Sequence, residues 1–135
     1  MMRYRIKTIG RFGSLVLLAA LLLGCAGTRK NDPAVALRSQ RVQSTLSDIA
    51  DGLNAYHQER GYFPKGLATL RETGLVSIMP DVEREWTIKY YVDGDKVMMI
   101  EAVSRTAMPD GEGYSVVYRV PNSEWEGYGI TEFPK

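Results

Sequence analysis

The chain has one cysteine, one histidine and no apolar run of twenty residues, and its charge is nearly balanced, with 17 Lys and Arg against 16 Asp and Glu in 135 residues. Each shortage excludes something. A lone Cys25 cannot close an intramolecular disulfide, so the fold must be held by its core. His57 has no cysteine or second histidine to share a metal with, and no serine stands in a Gly-x-Ser-x-Gly setting for it to activate. The near-neutral charge does not suit a surface that neutralises phosphates, so a nucleic-acid partner is not expected. No paired catalytic groups are visible, and the chain reads as a non-enzyme. Internal repeats and low-complexity tracts are also lacking.

The chemistry that is present begins at the N-terminus. Arg3, Arg5, Lys7 and Arg11 precede an uninterrupted small and apolar run from Phe12 to Gly24. Thirteen residues are too few to span a hydrocarbon core of about 30 Å, which takes roughly twenty, so the segment reads as an export signal. It ends in Leu22-Leu23-Gly24-Cys25, which resembles the lipobox of bacterial lipoprotein precursors. That resemblance implies cleavage between Gly24 and Cys25 and a covalent lipid on Cys25. Ala26 follows where inner-membrane retention would call for Asp, so the expected location is the periplasm-facing outer membrane. The expected organisation is a signal peptide over 1–24, lipidated Cys25 with a polar tether over 25–31, and one domain over 32–135. Removing the signal takes four of the seventeen basic residues and leaves thirteen against sixteen acidic ones, a net charge of about 3 negative.

From Asp32 the pattern turns helical. Asp32 suits the N-cap and Pro33 the first helical position, where a missing N–H costs nothing. Val35, Val42, Leu46, Ile49, Leu53 and Tyr56 recur at helical spacing, with polar residues between them, and Gly61 suits a left-handed C-cap after Arg60. Pro64 forbids the helix to continue. A long amphipathic helix running into Gly61-Tyr62-Phe63-Pro64, then Leu67, Leu70, Thr73-Gly74-Leu75 and Met79-Pro80, resembles the helix exit of type IV pilins and the major pseudopilins of type II secretion. Tyr62, Phe63, Leu67, Leu70, Leu75 and Val76 are expected to cover the sheet edge. The prepilin-peptidase site and the apolar half-helix of those families are missing here, so the resemblance is to a pilin-like head carried on a lipid.

The remainder reads as antiparallel strands. Trp86, Ile88 and Tyr90 alternate with Thr87, Lys89 and Tyr91, and Asp93-Gly94-Asp95 is expected to turn the chain. A turn of odd length would place Met98, Ile100 and Ala102 beside Trp86, Ile88 and Tyr90, whereas a two-residue turn would bring Glu101 onto the buried face. Tyr114, Val116, Tyr118 and Val120 give a third strand, and Trp125 to Thr131 a short fourth one. The expected fold class is α+β, with one long N-terminal amphipathic helix packed on a sheet of three or four antiparallel strands.

No cofactor is expected beyond the lipid. Asp110 and Glu112, in Asp110-Gly111-Glu112-Gly113, are candidate calcium ligands, and Asp93-Gly94-Asp95 is a second acidic turn, although calcium wants six to eight oxygens. His57 suits a surface or capping role. The resemblance implies an accessory or docking part of a type II secretion or type IV pilus-like system, with the membrane and secretion or pilus assembly proteins as partners. The alternative is an envelope lipoprotein that binds a glycan or small molecule on its aromatic sheet, with Trp125 and Tyr128 as reporters.

Overall fold

The computed structural model describes residues 32–130. Gly24, Cys25, the signal segment, the tether and Thr131 lie outside the described residues. The element order is α1 (Pro33–Arg60), α2 (Leu67–Glu72), α3 (Pro80–Glu85), β1 (Trp86–Asp93), β2 (Lys96–Ser104), β3 (Ser115–Arg119), a short 3-10 turn (Val120–Asn122) and β4 (Glu124–Gly127). The strands form one open antiparallel sheet in the order β1-β2-β3-β4, and α1 lies over β2 and β3. This is the α+β architecture read from the sequence.

The ends of α1 follow from local chemistry. The Asp32 carboxylate accepts from the Ala34 N–H at 2.8 Å, Pro33 fills the first helical position, and Gly61, at φ 76°, donates its N–H to the His57 carbonyl at 2.7 Å. Val42, Leu46, Ile49 and Leu53 are fully buried and meet Ile100, Ala102 and Val116 of the sheet. Each such side chain contributes about 1.5–3 kcal/mol by leaving water. The buried stripe is wider than the apolar pattern predicts, because Ser39, Thr45, Ala50 and Gly52 also face inward. At Gly52 an added Cβ would stand 3.1 Å from the Leu75 carbonyl oxygen, so a small residue lets the 75–77 segment run close beside the helix.

Several expectations need correction. The β1–β2 hairpin closes with Asp93 paired to Lys96, so only Gly94 and Asp95 lie in the turn. The pairing then slips between Tyr91↔Met99 and Val92↔Val97, so Met98 is the extra residue of a bulge. That insertion does what the odd-length turn was expected to do: Tyr90↔Ile100 and Ile88↔Ala102 share the inner face, and Glu101 stays on the outer one opposite Lys89. Val97 is buried in place of Met98, which is exposed. In the third strand Tyr114 and Val120 fall outside the ladder, and β4 stops at Gly127. Finally, Leu67–Glu72 and Pro80–Glu85 are single helical stretches of six residues each, too short to announce themselves by periodicity. Of the side chains expected to cover the sheet edge, Leu70 and Val76 join the core, while Tyr62 is 58% exposed.

Candidate functional site

The two ends of the sheet are built differently, and the sequence-derived candidates divide between them. At the end where the chain enters α1, the loop 105–113 folds back on Ser104. The Ser104 hydroxyl donates to the Gly111 carbonyl at 2.9 Å and accepts from the Tyr114 N–H at 2.9 Å. Met108 fills the space beneath and is almost wholly buried. Asp110 then receives Arg38 Nη1 at 2.8 Å and the Tyr128 hydroxyl on the same carboxylate oxygen, Oδ2. Burial and the Asp110 carboxylate together push the Tyr128 phenol up to about 12, while Arg38 opposes the shift.

The helix is also joined directly to the turn that follows the last strand. Ser39 Oγ donates to the Tyr128 carbonyl at 2.7 Å and accepts from the Gln43 amide at 3.0 Å. Gly129 passes so near that a Cβ there would stand 2.7 Å from Ser39 Cβ. Among the described residues no buried side-chain nitrogen or oxygen lacks a partner. No local pattern announces this brace, since Arg38, Asp110 and Tyr128 are far apart in the chain.

The calcium candidates belong to this braced end. Asp110 is committed to a guanidinium and a phenol, and Glu112 accepts from the Thr106 hydroxyl at 2.8 Å. Among the described residues no three His, Cys, Asp or Glu side chains are grouped so as to hold a metal ion. Tyr128, a candidate ligand reporter, is buried against Trp86 and Tyr114. Trp125 is stacked on Tyr118 with centroids 4.1 Å apart and planes at 6°, so each ring covers a face of the other.

At the opposite end, Gly61, Tyr62, Phe63 and Pro64 bring the chain off α1. His57 stacks on Phe63 at 4.4 Å, Tyr62 meets Tyr56 edge-on at 5.8 Å, and the Arg60 guanidinium sits 4.6 Å over the Tyr56 ring. His57 thus packs the helix exit through its ring, while the bond that caps α1 is accepted by its backbone carbonyl. Pro64 is buried, and its carbonyl accepts the Tyr90 hydroxyl, which ties the exit segment to β1. Beyond that tie the end is open. Tyr62, Tyr91, Val92 and Met98 are all exposed here; Leu37 and Met79 are the other exposed large apolar side chains among the described residues. Between the two ends Asp48 and Asp51 edge an open groove against Leu75 and Val76.

Compared with protein-family models, with curated proteins and with solved structures, the chain gives no match. Among the described residues no helix is long and apolar enough to cross a membrane.

Proposed function

We propose that the chain is a non-enzymatic lipoprotein, held at the periplasm-facing outer membrane by a lipid on Cys25, whose pilin-like head is an accessory or docking component of a type II secretion or type IV pilus-like system. The observation that carries this reading is the coincidence, in one chain, of Leu22-Leu23-Gly24-Cys25 with a long helix that exits through Gly61-Tyr62-Phe63-Pro64 onto an antiparallel meander.

The arrangement of the two ends supports it. α1 has 28 residues, a length of roughly 42 Å at 1.5 Å per residue. The tether joins the head at Pro33, on the braced end, and the open apolar end lies at the other end of the helix. The work done is local concentration. A lipid confines the head to one membrane face, where weak contacts of Tyr62, Tyr91, Val92 and Met98 become effective without a large interface.

Two measurements test this in sequence. Cys25→Ser should release the protein from the membrane fraction and abolish the lipid mass on the intact chain; retention with unchanged mass would remove the anchor from the reading. Crosslinking in cells, followed by purification in mild detergent and mass spectrometry, should recover pseudopilins, a secretin or its assembly proteins. Recovery of abundant envelope proteins alone, with the machinery expressed, would leave the head without that role.

A further inference from the structure

Among the described residues the sheet has two edge strands without a further neighbour, β1 and β4, and they are finished in different ways. β4 has four residues and ends at Gly127, where φ is 109° and a Cβ would stand 2.1 Å from the Ser115 carbonyl oxygen. β1 has eight residues and neither glycine nor proline. A short, kinked edge resists pairing with another chain; a long regular one invites it.

The ladder shows which backbone groups β1 leaves free. Ser104 turns its N–H to the Tyr114 carbonyl at 2.7 Å, and its carbonyl accepts from the Gly113 N–H at 3.1 Å, so both its groups point toward the β3 side. The pair Trp86↔Ser104 is therefore not hydrogen-bonded, whereas the Arg105 N–H reaches the Glu85 carbonyl at 2.7 Å. Alternation along an antiparallel strand then directs Thr87, Lys89 and Tyr91 toward β2, and leaves Ile88, Tyr90 and Val92 with N–H and C=O facing outward. On the solvent face beside them, Tyr91 is 46% exposed. Lys89 and Asp93 are exposed and have no ion pair among the described residues.

We propose that β1 pairs antiparallel with β1 of a second copy of this chain, about a two-fold axis at Tyr91. In that register Tyr90 of one copy stands opposite Val92 of the other, and these outward-facing residues exchange backbone hydrogen bonds twice by symmetry. The two Tyr91 rings meet at the axis. Lys89 of each copy stands opposite Asp93 of the other, on the same face of the joined sheet, so the two unpaired charges of the strand satisfy each other twice. Centring the axis on Lys89 or on Asp93 would set like charges face to face, and centring it on Tyr90 would move Lys89 and Asp93 to diagonal positions. The strand is thus complementary to itself in one register, which is the property a homodimer requires and a foreign strand does not. Two four-stranded sheets become one, with both α1 helices on the same face. This pairing rests on the geometry of β1 and holds whether or not the head serves a secretion machine.

The test uses the full chain in its membrane, with folding checked by circular dichroism after purification. Tyr91→Cys should give a disulfide-linked dimer under mild oxidation well above two backgrounds: the wild type, which carries Cys25 alone, and Glu83→Cys at an exposed position of α3. Without the added cysteine, Lys89→Glu or Asp93→Lys alone should weaken dimerisation about tenfold in sedimentation of the detergent-solubilised protein, since each replaces two attractions with two repulsions. The double variant Lys89→Glu/Asp93→Lys should return to within about twofold of wild type. A Tyr91→Cys chain that links no better than the backgrounds would overturn the pairing, and so would a double variant that stays as weak as the single ones.

Discussion

The end of the sheet where the chain enters α1 and the end where α1 stops are made from similar material, aromatic rings and polar side chains, to opposite effect. At the first, Ser39, Asp110 and Tyr128 have partners from distant parts of the chain, Ser104 closes the 105–113 loop on itself, and Met108 is almost wholly buried. At the second, the rings are used locally, His57 on Phe63 and Tyr62 on Tyr56, with one long-range tie from Tyr90 to Pro64. Polar groups placed inside demand partners, and satisfying them closes a surface. Aromatic and aliphatic groups left outside make no such demand and remain available for contact.

The sharpest way to test this contrast is with glycines. Gly129→Ala at the braced end should cost about 3 kcal/mol, combining a strained positive φ with a clash into Ser39. Gly61→Ala at the open end also has positive φ, yet a Cβ there meets nothing within 4 Å, so about 1 kcal/mol is expected. Thermal or urea unfolding of the two variants would decide; equal losses would mean that the two ends are held alike.

Asp110→Ala should come next, at about 2 kcal/mol, because it leaves Arg38 and Tyr128 without their shared acceptor. Hydrogen exchange should speed up across 105–113 and at the Tyr128 N–H while α1 near Tyr56 stays protected; uniform acceleration would argue against a local brace. The same cluster gives a pH signature. An unfolded Tyr128 titrates near its ordinary value of 10.0 and the folded one at about 12. Its neutral form is thus favoured by folding: the contribution is fully present below about pH 10 and disappears as the pH climbs through about 12. Tyr90, also raised by burial, acts in the same direction. Tyr128→Phe should therefore flatten the fall in stability above pH 10 without removing it, and an unchanged slope would place the phenol outside the brace. The smallest effects belong to the open end, where Met98→Ser or Val92→Ser should change stability by less than about 0.5 kcal/mol while reducing any contact made there.

What could be read from the sequence was what is decided locally. Asp32-Pro33 and Gly61 set the limits of α1 because caps act on the turn they adjoin. The hydrophobic alternation of β1 and β2 announced their inner faces, since burial enforces parity. The bulge at Met98 was not legible: parity can be restored in the turn or one step inside the strand, and Asp93-Gly94-Asp95 permits both. Nor was the brace, which joins Arg38 to Asp110 across 72 positions and Asp110 to Tyr128 across 18. An acidic Gly-rich loop suggested oxygens for a cation, and only the folded chain shows an arginine and a tyrosine already directed at one of them.

The most direct test of the division between a closed and an open end is photocrosslinking in cells from single sites, with the photoreactive residue at Val92 or Met98 on the hairpin and at Arg105 on the braced loop, all three exposed. Discrete products from Val92 and Met98, with a second copy of the chain or a secretion component among them, and little from Arg105 are the expected result. Products of equal yield from Arg105, or none from the hairpin positions, would contradict it.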